Sequence, residues 1–402
     1  MKIAPLLALT LIGLTACQAV PRTTQAPIGL GAQGNGPVMI QGAIDDSDLS
    51  APFRPQVATR LQQEAILNRN GEMVFQTRAL KPVQRLQRSG LTVSGRLLYT
   101  DRTGVLRPGA MATASLYQGE RKIASSLTDA DGRWQIQAPA TGTYSVRYTF
   151  ENPRWKISKY TWQGPEADVL SATDLGETSL IPGSQNGEAG WIQDVWLKSM
   201  ALFAREQVPL DWWKRQISTN WPVNGNYYVN YGVNLSGAEQ WDVNGHEIGH
   251  AIYHQALNAR MQGGQHKIDE CYSPTLALSE GFATFFAGAV HLAKDDPDAH
   301  FDKYLVPRRA PIRIENVPAD VCPGQRNEWR VASAFWEIYD SHLDDADQLS
   351  LGLSTIFGAL GRRDLPSAGS ALEAYAMLQK AMPAEQHGLL KAAFAQNTME
   401  VD

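Results

Sequence analysis

The segment that most constrains this chain is Trp241-Asp242-Val243-Asn244-Gly245-His246-Glu247-Ile248-Gly249-His250-Ala251-Ile252-Tyr253-His254, which contains His-Glu-x-x-His. On an α-helix, residues four apart share a face and lie about 6 Å apart along the axis. Two imidazoles so placed can both reach one ion at about 2.1 Å, the distance zinc prefers. Glu247, beside the first imidazole, is then placed as general base on a metal-bound water, whose pKa zinc lowers toward neutrality. The pentapeptide alone arises by chance in roughly one chain per hundred of this length, so context matters. Gly245 and Gly249 fall inside the same helix, and each costs roughly 1 kcal/mol against alanine. A helix that accepts both beside its histidines needs close backbone approach or room for a metal.

Two histidines and a water leave a tetrahedral ion one ligand short. His254 lies roughly 12 Å along the axis from His246, so one ion cannot bind both from a straight helix; it reads as a satisfied or surface histidine. Glu280 is the better third ligand. It begins an otherwise apolar helical stretch, Leu278-Ser279-Glu280-Gly281-Phe282-Ala283-Thr284-Phe285-Phe286. A buried carboxylate needs a partner of opposite charge, and a metal ion would serve.

With both motifs in place, the chain resembles the gluzincin metallopeptidases, the thermolysin-like and aminopeptidase-N-like superfamily. The resemblance covers roughly residues 191–345 and is specific at the ligands. It implies His246, His250 and Glu280 as ligands of one Zn2+ per chain, Glu247 as base, and hydrolysis of peptide bonds in a peptide or protein substrate. It also implies that the strand read at Asn226–Asn234 is an edge strand that pairs with extended substrate. Thermolysin-like members carry an aspartate four residues after the third ligand; here that position is Thr284, so the partner orienting a zinc histidine is expected elsewhere. Such enzymes add a Tyr or His that stabilises the oxyanion. Tyr339 and His342, in Arg330–His342, are the candidates. Two other readings stay open: a zinc hydrolase of peptidoglycan stem peptides, and a non-catalytic, envelope-binding lipoprotein whose sandwich engages a partner or glycan.

Upstream, residues 89–182 change character. Leu91, Val93, Leu97 and Tyr99 alternate as in a strand, Asp129-Ala130-Asp131-Gly132 marks a turn, and Trp134 and Ile136 alternate after it. The pattern predicts a small antiparallel β-sandwich. Ser94-Gly95-Arg96-Leu97, Arg107-Pro108-Gly109-Ala110, Thr128–Trp134 and Gly142–Val146 resemble the carboxypeptidase regulatory-like, transthyretin-like domain. One Asp-x-Asp-Gly lacks the other ligands of a calcium loop and reads as a plain turn. Pro182-Gly183-Ser184-Gln185-Asn186-Gly187 reads as a linker. Helical patterns follow at 241–258, 275–292, 328–343 and 369–395, with Pro383 breaking the last. The predicted fold is multidomain α+β: the sandwich, then a mainly helical zincin-type metalloprotease domain over 183–402 with a short edge-stranded sheet.

The N-terminus reads as an export signal over 1–16. Lys2 precedes the apolar Ile3–Leu14, too short to span a bilayer, and Leu14-Thr15-Ala16-Cys17 resembles a bacterial lipobox. By that resemblance Cys17 carries the lipid that anchors the chain to a membrane of the cell envelope. Residues 17–50, rich in Gly and Pro, form a flexible tether. Residues 51–88 are unassigned, with Leu61, Ala65 and Ile66 at helical spacing. Once Cys17 is lipidated, Cys271 and Cys322 remain as an even pair, which in an oxidising compartment reads as a disulfide. That bridge would pin the loop at 258–278 over the site. A net charge of -5 with no long basic run argues against nucleic acid.

Overall fold

The computed structural model describes residues 91–401 except 159–160, 304 and 343–347, together with the backbone of two strands, 61–67 and 73–79. The signal, Cys17 and the tether lie outside the described residues. The two early strands, β1 (Leu61–Leu67) and β2 (Met73–Ala79), pair antiparallel. The helical spacing at Leu61, Ala65 and Ile66 is therefore overturned. Between these strands the sequence carries Asn70-Gly71, a dipeptide favoured in hairpin turns.

The chain is mixed α+β, with a sheet-rich part before a helical part. Along it run β3 (Leu91–Thr100), β4 (Leu106–Pro108), β5 (Thr113–Gln118), β6 (Arg121–Leu127), β7 (Arg133–Ala138), β8 (Gly142–Thr149), β9 (Trp155–Ile157), β10 (Trp162–Val169) and β11 (Thr173–Ser179). One sheet has the order β10-β8-β5-β6; in the other, β11 flanks β3 and both β4 and β7 pair with β3. Alternation holds in β7, where Trp134, Ile136 and Ala138 point inward. The Asp129–Gly132 segment is a turn: Asp129 Oδ1 accepts from the backbone N–H of Asp131 and Arg133 at 3.0 and 2.8 Å. Gly132 has φ +74°, and a Cβ there would meet the Leu97 carbonyl oxygen at 2.2 Å, so only glycine fits. The sheets are not wholly antiparallel. The chain leaves β10 in one sheet and returns in the other as β11, which lies parallel to β3.

Pro182–Gly187 is not a spacer. Ser184 caps α1 (Gln185–Arg205), accepting from the Gly187 N–H at 3.2 Å. A Cβ on Gly187 would meet the Ile181 carbonyl oxygen at 2.2 Å, so the connection packs against itself. Helix α1 ties the two parts together. Tyr99 donates to Asp194 at 3.0 Å, the Trp155 indole donates to Gln193 at 2.9 Å, and Trp155 stacks on Trp196 at 5.3 Å. Strand β9 joins β12 (Ile217–Asn220), β13 (Tyr227–Val229) and β14 (Gly232–Asn234) in a sheet ordered β13-β14-β12-β9. The single strand expected over Asn226–Asn234 is thus a hairpin. Asn230 and Tyr231 take φ of 44° and 63° and turn the chain. Strand β13 lies at the sheet edge.

The helices are α2 (Trp241–Ala256), α3 (Pro274–His291), α4 (Glu328–Glu337), α5 (Leu353–Leu360), α6 (Ala371–Ala381) and α7 (His387–Gln396), with a short ladder of β15 (His300–Phe301) and β16 (Ile312–Arg313). Pro383 falls in the break between α6 and α7, as expected. Helix α4 is shorter than the 328–343 pattern. None of the described helices is long and apolar enough to cross a membrane.

Candidate metal centre

Helix α2 owes its place to its glycines. A Cβ on Gly249 would stand 2.9 Å from both the Cα and the carbonyl oxygen of Ala283 in α3. One on Gly245 would meet the His291 ring at 3.2 Å and Ala287 Cβ at 3.3 Å. The two helices therefore meet backbone to backbone at Gly249 and backbone to side chain at Gly245, and this close approach explains both glycines. Helix α3 starts cleanly: Ser273 caps it by accepting from the Leu276 N–H at 3.2 Å, and Pro274 fills the first position. Glu280 is the seventh residue of α3. It sits about two turns in, beyond the reach of a helix-terminus dipole, and not at the start of the apolar stretch.

The contact between α2 and α3 brings three ligand-type side chains together. Glu280 Oε2 lies 3.2 Å from His246 Nε2 and 3.1 Å from His250 Nε2. All three residues are buried. Four ligands held tetrahedrally at about 2.1 Å stand about 3.4 Å from one another, so this spacing fits a shared ion. The group could hold a metal ion. Glu247, the next residue after His246, is completely buried in the same helix.

The partner that orients His246 is Thr284 itself. Its hydroxyl lies 3.0 Å from His246 Nδ1. The expectation of a partner elsewhere is overturned, because a hydroxyl one turn beyond Glu280 can accept a ring N–H as an aspartate would. His250 is treated differently: its Nδ1 is buried with no hydrogen-bond partner among the described residues, while the Tyr228 ring stacks on it at 6.5 Å. His254 stands apart from this group. It is satisfied, with Nδ1 2.7 Å from the Tyr228 hydroxyl and its ring stacked on Tyr231.

Two residues that sequence reasoning missed complete the surroundings. His266, in the loop between α2 and α3, has Nε2 3.1 Å from Glu328 Oε2 and 3.7 Å from Glu280 Oε2. Glu328 opens α4 behind the Asn327 cap. Neither sits in a periodic pattern, and only the fold joins them. With protein charges alone, burial pushes the His246 imidazole down to about 4. Burial also opposes charging of His250 and His266, but nearby carboxylates override it. Glu280 raises His250, and Glu328 with Glu280 lifts His266 to about 9. Burial drives Glu328 up to about 7 despite His266, whereas the imidazoles hold the Glu280 carboxyl well below its usual range against the same desolvation. The carboxylates make this pocket favour positive charge, as a cation site should.

Cys271 and Cys322 are joined, with Cα atoms 5.5 Å apart, a spacing that suits a disulfide. The bridge pins the loop that carries His266. Tyr339 lies elsewhere: its ring packs on Phe285 and Trp336, and its hydroxyl donates to Glu206 at 3.4 Å. The backbone N–H of His342 donates to Asp340 beyond the end of α4.

No family model and no curated protein matches this chain. Two solved structures show weak likeness. The 5-hydroxyisourate hydrolase of Klebsiella pneumoniae has 20% identity over 22% of this chain and 84% of that one, at a TM-score of 0.17. A 9R-lipoxygenase from Cyanothece has 13% identity over 32% of this chain and 25% of that one, also at 0.17. Likeness this slight carries no argument about activity.

Proposed function

We propose that this chain is an exported, zinc-dependent metallopeptidase. The observation that carries the reading is the meeting of His246 Nε2, His250 Nε2 and Glu280 Oε2 beside a buried Glu247. Two imidazoles and one carboxylate suit zinc among the common divalent ions. When bound, zinc polarises the scissile carbonyl and acidifies the attacking water.

The chain's own groups do the rest. Thr284 fixes the ring of His246 by taking its Nδ1 proton in a hydrogen bond. The Glu247 carboxylate accepts the proton of the attacking water and passes it to the leaving amine nitrogen. Its negative charge is felt by both His250 and His266, which supports its place in the same cluster. Strand β13, at the edge of its sheet and next to α2 through Tyr228 and His254, offers backbone groups to an extended peptide. The Cys271–Cys322 bridge supports residence outside the reducing cytoplasm, in keeping with the export signal and the lipid anchor read at Cys17.

The test is Glu247→Gln. It should retain the metal and lose at least ~10²-fold in cleavage rate on a casein or peptide substrate, as loss of a general base predicts. A zymogram with peptidoglycan beside casein assigns the substrate class. Wild-type rates in the variant, or no hydrolysis of either substrate by the native protein, would reject the peptidase reading.

A further inference from the structure

The loop between α2 and α3 is built onto the start of α4. Asn327 donates its side-chain amide to the carbonyls of Ile268 and Glu270 at 2.7 and 3.0 Å, Tyr272 N–H donates to the Arg326 carbonyl at 2.7 Å, and the disulfide closes the same junction. This clamp sets His266 against Glu328. The side chains of His266, Glu280 and Glu328 are only 6, 4 and 6% exposed.

We propose that His266, Glu328 and Glu280 hold a second divalent ion beside the first, with Glu280 bridging the two. The inference rests on the His246–His250–Glu280 metal centre and not on any reaction there. Three observations carry it.

The first is spacing. One ligand atom from each of His266, Glu280 and Glu328 lies within 4.8 Å of the others, as does the His246, His250 and Glu280 set, yet His266 does not join that first set. One tetrahedral ion, with ligands about 3.4 Å apart, cannot gather all four. Glu280 Oε2 nevertheless lies within 3.7 Å of all three imidazoles, between the two groups.

The second is the tautomer. His266 Nδ1 faces the Gly264 carbonyl oxygen at 2.9 Å. A carbonyl only accepts, so the hydrogen-bond network assigns the ring proton to Nδ1. Its Nε2 is then turned toward Glu328 Oε2 and Glu280 Oε2, where a metal ion would take the place of its proton. Metal-binding histidines are held in this manner, and Thr284 holds His246 likewise.

The third is charge. Glu247, Glu280 and Glu328 are all buried. Carboxylates gathered away from water are costly unless cations lie among them. A second ion between Glu280 and Glu328 meets that need. One imidazole and two carboxylates suit zinc or manganese, and a carboxylate-bridged pair stands about 3.5–4 Å apart.

The experiment is zinc stoichiometry on the full chain, by metal analysis after equilibrium dialysis, with folding of each variant checked by urea denaturation. The wild type should saturate at two equivalents. His266→Ala and Glu328→Gln should each keep one. Cobalt(II) loading of the unaltered chain needs no variant and should give a magnetically coupled pair. Saturation of the wild type at one equivalent, two equivalents retained by either variant, or uncoupled cobalt overturns the second site alone. No metal bound at all overturns this inference and the first site together.

Discussion

Gly249→Ala separates helix propensity from helix contact. On an unpacked helix the substitution stabilises by about 1 kcal/mol. Here the new Cβ would stand 2.9 Å from the Ala283 Cα and carbonyl oxygen, against an ordinary contact of 3.4–4 Å. The obstacle is backbone, so no rotamer relieves it, and α2 and α3 must part by several tenths of an ångström. Overpacking of this kind costs about 1–3 kcal/mol. The propensity gain offsets part of that, leaving a net loss of about 1 kcal/mol. Ala283 follows Glu280 by three residues on α3, so parting the helices also widens the 3.1 Å spacing between Glu280 and His250. Metal affinity should fall about 10-fold, as when ligand orientation is disturbed. Gly358→Ala in α5 is the control: nothing lies within 4 Å of its Cβ, so it should gain stability. Urea denaturation followed by tryptophan fluorescence reads stability, and competition with a chromophoric chelator reads affinity. A Gly249→Ala protein that is as stable as wild type and binds metal equally well would refute the argument.

Two further outcomes follow from the same contacts. Thr284→Val keeps the shape of the side chain and removes the acceptor on His246 Nδ1; metal affinity should drop ~10–100-fold with little loss of fold, and an unchanged affinity would mean the hydroxyl orients nothing. Reduction of Cys271–Cys322 opens a link across a sequence separation of 51 and should cost about 4 kcal/mol on loop-closure grounds. New proteolytic cuts should then appear within 257–273, and an unaltered urea midpoint and digest would contradict the clamp.

The amino-acid sequence carried the candidate metal-binding group because its signals are local. A four-residue spacing puts His246 and His250 on one face, and the apolar run around Glu280 marks a buried carboxylate. The helix starts at Trp241, Pro274 and Glu328 were legible within a residue or so for the same reason. His266 and Glu328 were not, since a loop histidine and a capped first-turn glutamate look ordinary until the disulfide and Asn327 join them. In sequence Thr284 reads as a missing aspartate, although a hydroxyl can fill the same role. The α1 start was hidden because Ser184 and Gly187 serve both linkers and caps. Asn230-Tyr231 carries no glycine, so the β13–β14 turn was read through as one strand. The parallel pairing of β11 with β3 depends on a crossing between sheets, which period-two alternation does not encode.

The most direct test is the zinc affinity of the wild type beside Glu280→Ala, measured by chelator competition. Convergence of His246, His250 and Glu280 predicts tight binding by the native chain and a loss of at least ~100-fold, about 2.7 kcal/mol, without the carboxylate. Equal affinity in the two proteins, or no binding in either, would contradict the account.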